Sequence, residues 1–239
     1  MNRTKKLIIA ILLVILAGLI IVIAGALFVG PDLTVGTENI LVLASDKYEQ
    51  PNGGVDMAYM VRLENGSLAN YTPVYPGGMA HPTQPAPGGL SGNMFLHDSL
   101  WDGVDVGSEY AKEIVEANTG MHADAVVVVY DEAIDHIIDS IRPLYVDGKE
   151  TNLSATDIIR ENDAYQGYAG NENVKGNMSR ADSVMVLTKA LSNASKDPVK
   201  KSTMVQTALQ EYQNGNIIMK PEGSFTRLLA TKGFESIST

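Results

Sequence analysis

An unbroken apolar run from Leu7 to Val29 constrains this chain more than any other feature. It carries no charge and, as a helix, is long enough to cross a hydrocarbon core of about 30 Å. Arg3, Lys5 and Lys6 precede it, whereas the first charges after it are Asp32 and Glu38. The positive-inside bias therefore keeps the short N-terminus in the cytoplasm and sends the rest of the chain outward. The expected organisation is a cytoplasmic N-terminus (1–6), a transmembrane helix (7–29), a tether (30–38) and one domain (39–239) outside the cell membrane. The alternative is a cleaved signal peptide, with Ala24-Gly25-Ala26 as the small-residue site. The apolar stretch is longer than the roughly 7–15 residues usual for such peptides.

Charge is unevenly distributed. Beyond residue 30 the chain holds all 28 acidic residues and 15 of the 18 basic ones, a formal charge of −13. Such a surface repels nucleic acid and anionic lipid head groups, so no nucleic-acid partner is expected, and an anionic substrate must be met by a local arginine or lysine cluster. With Cys 0, disulfides and thiol chemistry are excluded. A domain of this length buries an adequate core without such staples.

The hydrophobic pattern predicts an α/β fold, a layered sandwich with a central mixed sheet flanked by helices. Ile40–Ala44 and Ala125–Tyr130 read as buried strands, and Met57–Leu63 with Leu68–Val74 reads as a hairpin turning at Asn65-Gly66. Leu144–Val146 and Ile217–Met219 read as further short strands. Ser108, Asp131 and Thr156 are expected helix caps, and helices are also expected from Ser179 and from Asp197. Ile134, Ile137, Ile138 and Ile141 form one helical face. The Pro/Gly-rich stretch 75–93 reads as a long loop without regular structure, and residues 163–178 as a second polar loop. A last short helix is expected over Phe225–Lys232.

Sites in such folds lie at the ends of buried strands, which singles out Asp46, Asp56 and Asp131. Asp46 and Asp56 are candidates to share Mg²⁺, whose usual holders are one or two carboxylates plus substrate phosphate; the alternative is a pair of solvated turn aspartates. Arg160 and Arg180 flank the second loop and are candidates to converge on a phosphate, as catalytic and substrate-binding residues. The alternative is that they pair with nearby carboxylates, and Arg62 and Arg142 compete for the role. His97-Asp98-Ser99 is not read as a hydrolytic triad, because chain neighbours rarely point at one another. The four histidines show no zinc spacing.

The order of these pieces is familiar: ILVLASD (Ile40–Asp46), EQPNGGVD (Glu49–Asp56), FLHDSLWD (Phe95–Asp102), the segment Thr119–Asp139, and IIRENDAY (Ile158–Tyr165) with Arg180 beyond. It resembles the LytR-CpsA-Psr family. It is more similar to the related domain of unknown function 4012, in which a Glu-x-Pro-x-Gly-Gly segment follows the first strand. The resemblance implies a membrane-anchored α/β domain of the cell envelope. Such a protein transfers a glycopolymer from a polyprenyl pyrophosphate carrier to the cell wall, with Mg²⁺ and clustered arginines. It assigns the metal to Asp46 and Asp56 and the pyrophosphate to Arg160 and Arg180. Its other implication is a non-catalytic envelope-binding or scaffolding module that keeps the fold alone. Where the LytR-CpsA-Psr family carries further arginines, this chain has Gly54-Val55 and Tyr71–Tyr75.

Overall fold

The computed structural model describes residues 32–74, 77–164, 174–224 and 227–228. The apolar run 7–29 and most of the helix expected over 225–232 lie outside them. Among the described residues no helix is long and apolar enough to cross a membrane.

Five strands build the central sheet: β1 (Thr37–Asp46), β2 (Gly54–Glu64), β3 (Ser67–Val74), β6 (Ala125–Tyr130) and β9 (Ile217–Lys220), in the order β3-β2-β1-β6-β9. The sheet is mixed, since β1 runs parallel to β6 while the other pairs are antiparallel. The hairpin turns at Asn65-Gly66, both at positive φ (50° and 70°), the backbone that twists in step with the strands it joins.

Alternation along the strands sends side chains to two apolar layers. Leu41, Leu43, Val126 and Val128 pack against Ala111, Ile114 and Val115 of helix α1 (Val104–Thr119). On the opposite face lie α2 (Asp131–Ser140), α3 (Ala155–Arg160), α4 (Arg180–Ala194) and α5 (Pro198–Gln213). There Ile40, Ala125, Val127 and Met219 meet Ala133, Ile137, Ala208 and Tyr212. Further along, Met57 and Tyr59 meet Ile138, Ile158, Val184 and Leu187. Each large aliphatic side chain fully withdrawn from water in these layers contributes about 1.5–3 kcal/mol.

Three helix starts differ from expectation. α1 begins after Gly103, and Ser108 lies fully buried within it. β6 runs directly into α2, so Tyr130 is the cap position and Asp131 the first helical residue, where its charge still meets the positive end of the helix dipole. α3 is capped by Ser154, whose hydroxyl accepts from the Asp157 amide and donates to the Asp157 carboxylate, in place of Thr156. Ser179 and Asp197 cap α4 and α5 as expected.

The Pro/Gly-rich stretch also holds regular structure: β4 (Ala80–Pro85) and β5 (Asn93–Phe95) form a small separate ladder. Pro82 is tolerated because it lies in the irregular stretch between the registered pairs Ala80↔Phe95 and Pro85↔Asn93. A third small sheet pairs β7 (Leu144–Val146) with β8 (Lys149–Thr151).

Candidate functional site

The topology brings three acidic positions to one edge of the sheet. β1 and β6 are parallel, so Asp46 at the end of the first and Asp131 after the second share that edge. β2 is antiparallel to β1 and therefore starts there, with Gly54 opposite Asp46. Between Ser45↔Val55 and Ala44↔Met57 the register shifts, leaving Asp56 as the extra residue of a β-bulge. Val55 and Ala58 belong to the α1 layer, whereas Met57 and Tyr59 belong to the α3–α4 layer. The bulge places Asp56 beside Met57, at a small open cleft between β2, β3 and α4. Met57, Tyr59, Val74 and Val184 give this cleft apolar walls, and Asp56 and Arg180 give it charge.

Asp56 is exposed at the mouth of the cleft. Loss of hydration pushes its carboxyl above the ordinary range, the negative charge of Asp46 pushes the same way, and Arg180, His97 and Arg160 oppose both. The structure thus places Asp46, Arg160 and Arg180 within electrostatic reach of Asp56. It does not make them equivalent. Asp46 accepts the Tyr48 amide at 2.9 Å and the Glu49 amide at 3.3 Å, so one carboxylate oxygen closes the turn after β1. Arg160 ends α3 and Arg180 opens α4.

The arginine side is built by a backbone clamp. Ala164 N–H donates to the Met178 carbonyl at 2.8 Å, and Met178 N–H donates to the Asn162 carbonyl at 3.0 Å. Gly176 lies so close to this crossing that an added Cβ would stand 1.9 Å from the Asn162 carbonyl carbon. Asp163, only 1% exposed, forms an ion pair with the Arg180 Nε at 2.6 Å. Sequence reasoning missed Asp163, because a buried carboxylate in a polar loop has no periodic signature.

His97 is no triad member and acts beside Asp56 in a different way. Its Nδ1 lies 3.3 Å from the Val55 carbonyl oxygen, and its Nε2 lies 3.5 Å from the Glu49 carboxylate. The ring occupies space that a side chain at position 54 would need, since a Cβ on Gly54 would stand 2.7 Å from His97 Cε1. Gln50 donates to Asp98 and Asn52 to the Trp101 carbonyl, both at 2.7 Å. The EQPNGG and HDSLWD segments therefore interlock as one wall, and Asp98 and fully buried Ser99 serve packing.

The competing arginines lie elsewhere. Arg62 pairs with Glu64 at 3.2 Å near the hairpin, and Arg142 binds Asp139 and the carbonyls of Thr151, Asn152 and Leu153. Among the described residues no three carboxylate or imidazole groups converge as a metal centre. Asp46 and Asp56 nonetheless suit a hard cation. Their mutual repulsion is what a divalent ion would relieve, and two carboxylates leave coordination positions for water and phosphate oxygens.

This layered α/β domain, with Asp56 and Arg180 at a half-apolar cleft, has a LytR-CpsA-Psr-like fold. The chain belongs to the family of proteins of unknown function DUF4012, whose profile matches residues 35–165. The fold is similar to the crystal structure of TagV from B. subtilis, at 16% identity and TM-score 0.52, over 85% of this chain and 81% of that one. It is also similar to gbs0355 of Streptococcus agalactiae, at 13% identity and TM-score 0.51, over 84% and 74% of the two chains. EF0465 of Enterococcus faecalis, described as a transcriptional regulator, matches at 10% identity and TM-score 0.51 over 88% and 76%. At these identities the likeness is one of fold. No curated protein matches the chain in sequence.

Proposed function

We propose that this protein is a single-pass, membrane-anchored cell-envelope protein whose outward-facing domain binds a polyprenyl pyrophosphate-linked glycopolymer and transfers it to the cell wall. The observation that carries this reading is the amphipathic cleft. Arg180 and Asp56 line a space whose apolar walls are Met57, Tyr59, Val74 and Val184, with Arg160 within electrostatic reach of Asp56, so a ligand with a charged head and an apolar tail matches it.

Arg180 and Arg160 would hold the pyrophosphate oxygens and stabilise the charge that develops as the carrier leaves. A wall hydroxyl attacks the anomeric carbon or the adjacent phosphorus of the donor and loses its proton to solvent, while the carrier leaves as polyprenyl pyrophosphate in the first case or polyprenyl phosphate in the second. Mg²⁺, held by Asp46 and Asp56, would neutralise pyrophosphate charge. Without a cation, three carboxylates at one sheet edge would repel such a ligand. A second reading is a binding module without catalysis, and the turn that engages one oxygen of Asp46 favours it.

The test is binding of a short-chain polyprenyl pyrophosphate to the full chain in detergent, with and without Mg²⁺. Magnesium-dependent binding that is lost in Arg160→Ala and Asp46→Ala supports the reading. Absence of binding by the folded wild-type chain removes it, and binding without turnover of any glycopolymer donor leaves the module.

A further inference from the structure

We infer that Asp163 is a positioning residue, which orients Arg180 across the cleft and makes Arg160 and Arg180 one preset pair; this rests on the pyrophosphate reading above.

A buried carboxylate is costly unless it is paired, and Asp163 is 1% exposed in a chain rich in solvated acids. Its partner is a cleft residue: Arg180 lines the cleft and is the strongest cationic influence on Asp56. The 2.6 Å approach of the Asp163 carboxylate to Nε is an ion pair that holds the base of the planar guanidinium beside a buried charge. The main chain supports the same geometry. The Asn162–Ala164 segment follows α3, which ends in Arg160, and it is bonded on both sides of Met178, two residues before Arg180. Gly176 permits the two segments to approach this closely. The separation of the two arginines is therefore set by this crossing, whatever the course of the chain between them. A charge held in place before the ligand arrives loses little freedom on binding, which is the advantage of a preset donor pair.

The experiment titrates geranylgeranyl pyrophosphate with Mg²⁺ into the full chain in detergent, with geranylgeraniol as the uncharged control. Asp163→Asn is expected to bind the pyrophosphate about tenfold more weakly than wild type while binding of geranylgeraniol stays unchanged. Added guanidinium should restore pyrophosphate binding to Arg180→Ala, and fail to restore it to Arg180→Ala/Asp163→Asn, where nothing orients the added cation. Arg180→Lys keeps Asp163 paired with a cation and guards against misfolding of the Asn variant. It is expected to bind as weakly as Arg180→Ala, because it has the charge without the fork. Wild-type affinity in Asp163→Asn, equal rescue of the single and double variants, or full binding by Arg180→Lys would each overturn the inference while leaving the pyrophosphate reading intact. No binding by wild type would end both.

Discussion

Asp56, exposed at the mouth of the cleft, and Glu211, buried on α5, are carboxylates that settle in opposite directions. At Glu211, 3% exposed on α5, burial pushes the carboxyl up, but hydrogen bonds from Asn216 and His136 outweigh it and hold the group below its ordinary range. The geometry is complete: Asn216 Nδ2 donates at 2.9 Å, His136 Nδ1 stands at 3.0 Å, and Lys47 donates to the Asn216 Oδ1 at 2.9 Å. At Asp56 the loss of hydration prevails although Arg180, His97 and Arg160 oppose it, and the carboxyl stays above its ordinary range. The contrast separates a group whose partners are already in the fold from one that a ligand would satisfy. Uncompensated desolvation beside fixed charges is a mark of functional sites.

The largest effect is expected where the cleft's backbone clamp is pushed apart. Gly176→Ala sets a Cβ against the Asn162 carbonyl and should cost about 3 kcal/mol in urea unfolding, near the upper end for overpacking. It should weaken pyrophosphate binding as well, whereas no Glu211 variant should do so. Next is Glu211→Gln, which exchanges a charged acceptor of two hydrogen bonds for a neutral one and should cost about 2 kcal/mol at neutral pH. Because the folded-state pKa of Glu211 is depressed, its contribution is present above the unfolded pKa. It is lost as pH falls through the folded value, so the wild-type and Gln unfolding curves should converge in acid.

The smallest effect has the opposite sign. The folded-state pKa of Asp56 is raised, so its contribution is full below the unfolded pKa and is lost as pH rises through the folded value. Asp56→Asn should therefore give a small rise in Tm at neutral pH, and none at a pH below the ordinary carboxylate range. Thermal melts of both variants across pH test the comparison directly, since equal signs for the two would dissolve it.

What could be read in advance follows the same divide between local and distant causes. β6 matches its expected span because Ala125–Tyr130 is uniformly apolar and bounded on both sides, and the Asn65-Gly66 turn is fixed by its own two residues. Asp46 and Asp56 were legible as strand-end residues. The bulge that swings Asp56 toward α4 depends on pairing with β1 and leaves no mark on β2 itself. Helix starts failed where tertiary packing overruled capping preference: Ser108 is consumed by close packing inside α1, and Asp131 is displaced because the strand hydrogen bonds continue through Tyr130. Asp163 and His97 were unreadable as site residues because each matters through a partner far away in sequence, Arg180 in one case and the EQPNGG segment in the other.

The most direct measurement is the thermal stabilisation that Mg²⁺ and a short-chain polyprenyl pyrophosphate together give to the full chain, compared across wild type, Asp56→Asn and Glu211→Gln. The account predicts a ligand-induced rise in Tm for wild type, the same rise for Glu211→Gln from its lower starting point, and none for Asp56→Asn. An undiminished rise in Asp56→Asn, or a rise lost only in Glu211→Gln, would contradict the claim that the Asp56 carboxylate marks the ligand site.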